Sequence, residues 1–200
     1  MSILPRSFYN RNTTTVAKDL LGKILVHNIG SVRLSGIIVE TEAYLFNDPA
    51  AHTFRGMTER NKIMFGSPGF LYVYFTYGMH YCANVVTRKE GIGEAVLIRA
   101  VEPLNGLNRM AKNRTKKEGD HRFPASNLHN LTNGPAKLAQ AFGLTTKHTG
   151  TDLEGNKIYI TFGEKIPRSK IVCTTRIGIS VAKEKRLRFY IKNNVWVSKK

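Results

Sequence analysis

Apolar and polar positions alternate with a period of two along most of the chain, and that pattern predicts strands. Ile37, Ile38 and Val39 open a buried strand over Gly36–Tyr44, since β-branched side chains favour extended backbone. Glu40, Glu42 and Tyr44 follow at every second position. Residues i and i+2 share a strand face, so two carboxylates and a phenol line one side of the strand's end. Asn47-Asp48-Pro49 breaks the strand, and His52 follows the break. Lys23–Ile29 predicts the preceding strand, with Gly30-Ser31 as the turn. Pro68–Val86 predicts a hairpin, with Phe70, Tyr72 and Tyr74 on one face and Leu71, Val73 and Phe75 on the other. Tyr77-Gly78 is its turn and Met79–Val86 its returning strand. Glu94–Ala100 predicts another strand, with Arg99 inside an apolar run. The tail predicts strands at KIYITF, Arg176–Ser180, LRFYI and VWVS, with an Asn193-Asn194 turn before the last.

Only three short windows read as helices. Thr13-Thr14-Thr15 offers an N-cap to a segment closed by Gly22. Pro103–Asn113 starts with proline near its first position. Asn133-Gly134-Pro135 caps a third helix, whose N-terminus suits an anion. The expected fold is α+β: one domain over residues 1–200, a curved, mostly antiparallel β-sheet surrounded by short helices, with a protruding β-hairpin.

Composition narrows the function. In 200 residues, 31 Lys and Arg stand against 14 Asp and Glu, a formal charge of +17. Such an excess on a globular chain points to a polyanion, while 42% hydrophobic residues argue against wholesale disorder. No stretch approaches the roughly 18 apolar residues of a membrane span, and MSILPRSFYNRN has no secretory pattern. An intracellular protein is therefore expected: cytoplasm or nucleoid, or nucleus in a eukaryote. Cys82 and Cys173 match no metal or redox spacing, so no metal site is expected.

Four features carry candidate chemistry. Arg99 in an apolar strand demands a partner, and the strand carboxylates are candidates. Buried tyrosines need hydroxyl partners; in a basic protein such rings also stack on bases. Thr53–Lys62 carries Arg55, Arg60 and Lys62, either as a solvated loop or as phosphate contacts. Arg114–Asn127 reads as a basic loop. These features leave open a non-catalytic basic nucleic-acid-binding module and a carbohydrate glycosidase using Glu40 and Glu42. A zinc base deaminase is excluded, because its H-x-E…C-x-x-C signature is missing.

VETEAY followed by AAH, LYVYFTYGM, CANV, LIRAVEPLNGL, NGPAKL and LRFYI…WVS together resemble the alkyladenine (3-methyladenine) DNA glycosylases. The motifs run in the family's order from Leu20 to Ser198. The resemblance implies a monomeric, monofunctional base-excision-repair enzyme without metal or cofactor. Its partner is double-stranded DNA containing damaged purines, such as 3-methyladenine, 7-methylguanine, hypoxanthine and ethenoadenine. The family flips the base out and hydrolyses its N-glycosidic bond. By the same resemblance, Glu42 is the general base, while Arg99 and the main-chain carbonyl of Ile177 help hold the water. Tyr44, His52 and Tyr74 wall the base pocket, and Asn84 crowds the amino group of guanine. Tyr77 fills the hole left in the duplex, and Arg55, Arg60, Lys62 and Lys137 contact phosphates. Glu40 is left either structural or in contact with Arg99.

Overall fold

A computed structural model of the chain describes residues 2–76, 80–115 and 125–199. Its centre is β2 (Val32–Tyr44), a thirteen-residue strand. On one side β2 pairs antiparallel with β5 (Ala95–Asn105) along nearly its whole length. On the other side it changes neighbour midway. β1 (Ile24–Ile29) covers Val32–Ile37, and β8 (Arg188–Ile191) covers Glu40–Glu42. The hairpin β3 (Leu71–Thr76) and β4 (His80–Val86) continues the sheet beyond β5. β6 (Ile158–Thr161) adds to β1, and β7 (Ile171–Thr174) adds to β8.

Two compensating irregularities bend the centre of this sheet. Ile38 pairs with Val101 and Glu40 with Ala100, so Val39 is an extra residue in β2. Thr41 then pairs with Ile98, so Arg99 is the extra residue in β5. Bulges of this kind increase local twist and re-aim side chains. Here they bring Arg99 over Glu40 and Glu42. The opposite face carries Thr41, whose hydroxyl donates to the Ala17 carbonyl in α2 (Thr13–Asp19).

Among the described residues four short α-helices accompany the sheet: α1 (Arg6–Tyr9), α2, α3 (Leu107–Arg114) and α4 (Pro135–Ala141). α4 packs against β4, β5 and α3, burying Leu138, Ala139 and Phe142. These join Tyr9, Leu20, Ile98, Leu131 and Phe189 in the main core. The α+β fold, with a curled antiparallel sheet and few short helices, is the expected one.

Several local expectations need correction. The α2 cap is Asn12, whose Oδ1 accepts from Thr14 and Thr15, and Thr13 already lies inside the helix. The helix expected over Pro103–Asn113 begins only at Leu107, because β5 runs on to Asn105. β4 stops pairing with β5 at Leu97, so Pro103 is paired on one side only, where a missing N–H is tolerated. Gly106 makes the turn between them at φ 81, with Leu34 too close for a Cβ. Arg176–Ser180 and VWVS are not strands: both are irregular. Ile177 and Ser198 instead aim their N–H groups at buried carboxylates, away from any ladder. The strand at 171–174 and α1 are elements that the sequence pattern does not predict. Of the Arg114–Asn127 loop, Arg114 closes α3, and residues 116–124 lie outside the described residues, as does Tyr77.

Candidate active site

Glu40 and Glu42 are both completely buried, yet neither lacks partners. Glu42 Oε1 accepts the Ile177 N–H at 2.9 Å and faces Arg99 Nη1 at 3.2 Å. Its Oε2 accepts the Tyr44 hydroxyl at 2.9 Å. A carboxylate offers about four acceptor positions, so these three donors leave room for one more. All three donor residues line a pocket of about 400 Å³. Glu42 thus lies directly behind the part of the pocket wall that its three donors form, with acceptor capacity for one more donor.

Glu40 is differently employed. Its Oε1 accepts Arg99 Nε at 3.0 Å, Arg188 Nε at 2.7 Å and the Ser198 hydroxyl at 2.9 Å. Its Oε2 accepts the Ser198 N–H at 2.7 Å. So many donors leave Glu40 little capacity for catalysis, which removes the glycosidase reading that needed two working carboxylates. Glu40 is an anchor: it contacts Arg99 and ties it to the chain's C-terminal segment. Two acids and two arginines make the cluster formally neutral. Burial opposes the Arg99 charge, but Glu42 and Glu40 more than offset it, so its pKa is raised.

The pocket's aromatic wall comes from the hairpin and the turn after β2. Tyr72 and Tyr74 stack with centroids 5.6 Å apart, and His52 meets Tyr74 edge-on at 4.4 Å. His52 Nδ1 lies 3.1 Å from the Tyr72 hydroxyl, and its carbonyl accepts from the Asn61 side chain. Cys82, Asn84 and Leu97 line the pocket from β4 and β5. Asn84 is held by donating to the Tyr72 carbonyl at 3.2 Å. Pro135 and Ile177–Val181 complete the lining. The volume falls in the range usual for small-molecule sites.

Protonation states follow from these surroundings. Burial, and then the Glu42 charge, push the Tyr44 hydroxyl far above its ordinary pKa, so it is a permanent donor. Burial also raises Tyr74. Burial, helped by Arg60, lowers His52, which is neutral at pH 7. Burial raises the Cys82 thiol, which argues against a thiolate nucleophile. No lysine lines the pocket among the described residues, so the amine that lyase chemistry requires is missing there.

The basic residues lie around the site with unequal attachment. Arg60 donates to the Phe75 carbonyl at 2.9 Å and stands 5.7 Å over the Tyr74 ring. Lys137 Nζ is held by Asn130 and Asn133, two residues beyond the pocket-lining Pro135. Lys62 is exposed and paired with Glu59, and Arg55 is exposed. No group of three His, Cys, Asp or Glu suited to a metal occurs among the described residues. No described helix is long and apolar enough to cross a membrane.

Sequence reasoning missed Arg176, Asp48, Arg188 and Ser198. Arg176 and Asp48 form a fork with completely buried side chains. In the sequence, Asp48 reads only as a strand breaker. The available signal is an arginine beside Ile177 in a segment with no other charge.

A family model described as methylpurine-DNA glycosylase matches residues 7–195. A protein of Carboxydothermus hydrogenoformans is 52% identical over 99% of this chain and 100% of its own length. One from Methanoculleus marisnigri is 48% identical over 98% of this chain and 99% of its own. One from Desulfitobacterium hafniense is 47% identical over the full length of both. Each of the three carries the name "Putative 3-methyladenine DNA glycosylase".

Proposed function

Because the chain belongs to the methylpurine-DNA glycosylase family, we propose that it is a DNA N-glycosylase that removes 3-methyladenine and related damaged purines from duplex DNA. The observation that carries this reading is Glu42: a buried carboxylate with three donors, all from residues lining one aromatic pocket. A non-catalytic binding module has no use for such a group. Burying a carboxylate is costly, and stacking on bases needs only rings and positive charge.

The chemistry is a displacement at C1′ of the damaged nucleotide. The base leaves the duplex stack first, at a cost of a few kcal/mol, and enters between the rings of Tyr44, His52 and Tyr74. Tyr77 takes its place in the stack. Arg55, Arg60, Lys62 and Lys137 hold flanking phosphates. Glu42 accepts a hydrogen bond from the water and takes its proton as the water oxygen bonds to C1′. The C1′–N bond breaks, and its electron pair leaves with the purine. A base alkylated on the ring carries a positive charge and departs neutral, without an acid. Arg99 and the Ile177 carbonyl orient the water, and the Glu42 charge stabilises the oxocarbenium-like state. Asn84 disfavours the amino group of guanine. The enzyme works as a monomer, on 7-methylguanine, hypoxanthine and ethenoadenine as well as 3-methyladenine.

The test is incubation with alkylated duplex DNA and with a duplex carrying one hypoxanthine, measuring free base and abasic sites. Release of free base without strand cleavage is expected. Tight binding with no base release from either substrate would return the protein to the class of binding modules.

A further inference from the structure

The fork between Arg176 and Asp48 has no part in the chemistry above. We infer that it is the positioning device for Glu42: it holds the Ile177 N–H and the Tyr44 hydroxyl against the carboxylate. This rests on Glu42 being the base.

Arg176 Nη2 donates to Asp48 Oδ1 at 3.0 Å, and Nη1 donates to Asp48 Oδ2 and to the Ala43 carbonyl. Bidentate arginine–carboxylate pairs fix orientation as well as distance. The next peptide carries the Ile177 N–H that Glu42 Oε1 accepts. Residues 175–181 belong to no strand or helix, so no ladder holds that N–H in place. Gly178, at φ 76, turns the chain away just beyond it. The Arg176 guanidinium also lies 4.7 Å over the Tyr44 ring, fixing the phenol whose hydroxyl reaches Glu42 Oε2. One side chain therefore sets two of the three donors on the base. Asp48 extends the device: its Oδ1 accepts the Ala50 N–H and its main-chain carbonyl the Ala51 N–H, shaping the turn that delivers His52.

Stability alone explains the pair poorly. A buried ion pair is often no better than apolar residues of equal volume. This one also leaves the buried Arg176 Nε without a hydrogen-bond partner. That arrangement is unfavourable for a mere strut, but it follows from laying the guanidinium over Tyr44.

Two variants test the inference. Arg176→Lys keeps a charge for Asp48 but loses the fork and the flat stack. The paired replacement R176M/D48L removes both charges, so no lone buried charge is left to unfold the protein. Amide exchange at Ile177 is read in the free protein, and single-turnover base release in duplex DNA holding one hypoxanthine. We expect both variants to melt cooperatively and to bind the duplex within about threefold of the parent. The Ile177 amide should exchange at least about tenfold faster, and base release should slow by about 10- to 100-fold, the scale of misplacing a reacting group. The slowing should be smaller when measured in a Tyr44→Phe background, because the two changes share one partner. Unchanged Ile177 exchange overturns the inference. So does a rate loss that vanishes at low temperature, which marks a purely structural pair. If the parent releases no base from any lesion, the functional reading fails, and Ile177 exchange still decides whether the fork positions the donor.

Discussion

Arg99 bridges the two buried acids: its Nη1 lies 3.2 Å from Glu42 and its Nε 3.0 Å from Glu40. The guanidinium therefore reports on both carboxylates, but only Glu42 also accepts from the Ile177 N–H and the Tyr44 hydroxyl. Glu42→Gln separates charge from shape. The amide oxygen can keep the Ile177 N–H and Arg99, and the Tyr44 hydroxyl can turn to accept from the new NH₂. The fold and lesion-DNA affinity should survive, while single-turnover base release falls by about 10²- to 10⁴-fold. Excision within about tenfold of the parent would show that Glu42 is not the base.

Ser198 donates twice to Glu40, through its N–H and its hydroxyl. Ser198→Ala removes the second bond and keeps the first. The expected cost is about 1.5 kcal/mol, the low end for a hydrogen bond to a charged group. It should appear as a lower urea midpoint with an unchanged slope. Ser198→Thr, which retains the hydroxyl, should recover most of it. An unaltered midpoint in the alanine variant would mean that solvent replaces the bond at no cost.

His27 supplies a pH dependence. Burial lowers its pKa, its Nδ1 lies 2.8 Å from the Phe142 carbonyl, and its ring meets His148 edge-on at 5.1 Å. Its folded pKa lies below its unfolded value of about 6.5. Just below that value the unfolded chain binds the extra proton, so stability is intact above it and falls with pH down to the folded pKa. His148 and His52 are lowered too and act in the same direction. The melting temperature should therefore decline as the pH falls below about 6.5. His27→Asn should flatten that decline, by at most about 1.4 kcal/mol per pH unit. Parallel profiles for parent and variant would remove His27 from the response.

Asn84 has its amide fixed on the Tyr72 carbonyl, in a pocket whose volume alone admits any purine. If it discriminates against guanine by crowding, Asn84→Ser should raise release of normal guanine relative to hypoxanthine. A single polar conflict of this kind is typically worth about 1–3 kcal/mol, or up to roughly a hundredfold in the ratio. The check is paired competition on duplexes that differ in one base. An unmoved ratio assigns discrimination to another residue.

Local pattern carried much of the fold. Alternation placed Glu40, Glu42 and Tyr44 on one face of a strand, and the structure has them so. It also found Arg99 on β5 and the tyrosine hairpin. What it missed depends on distant partners. Residues 176–180 alternate like a strand, but their backbone is drawn off by Glu42, 135 positions earlier. VWVS fails likewise, because the Ser198 N–H goes to Glu40, 158 positions away. The bulges at Val39 and Arg99 come from matching two strands to each other, which neither shows alone. Pocket roles for His52 and Asn84 came from family resemblance; alternation offered no route to them.

The change of neighbour along β2 has a consequence for synthesis. The half of β2 that carries Glu40 and Glu42 is completed by Arg188 and Ser198, which follow Glu40 by 148 and 158 positions. At about 5–20 residues per second, a ribosome needs roughly 7 to 30 seconds to reach them. Until then the nascent chain holds two acids and one arginine at the centre of its sheet. That charge imbalance resists burial. The centre therefore closes only once Arg188 and Ser198 have been made, and a nascent chain that stops short of them has no organised site with which to attack DNA.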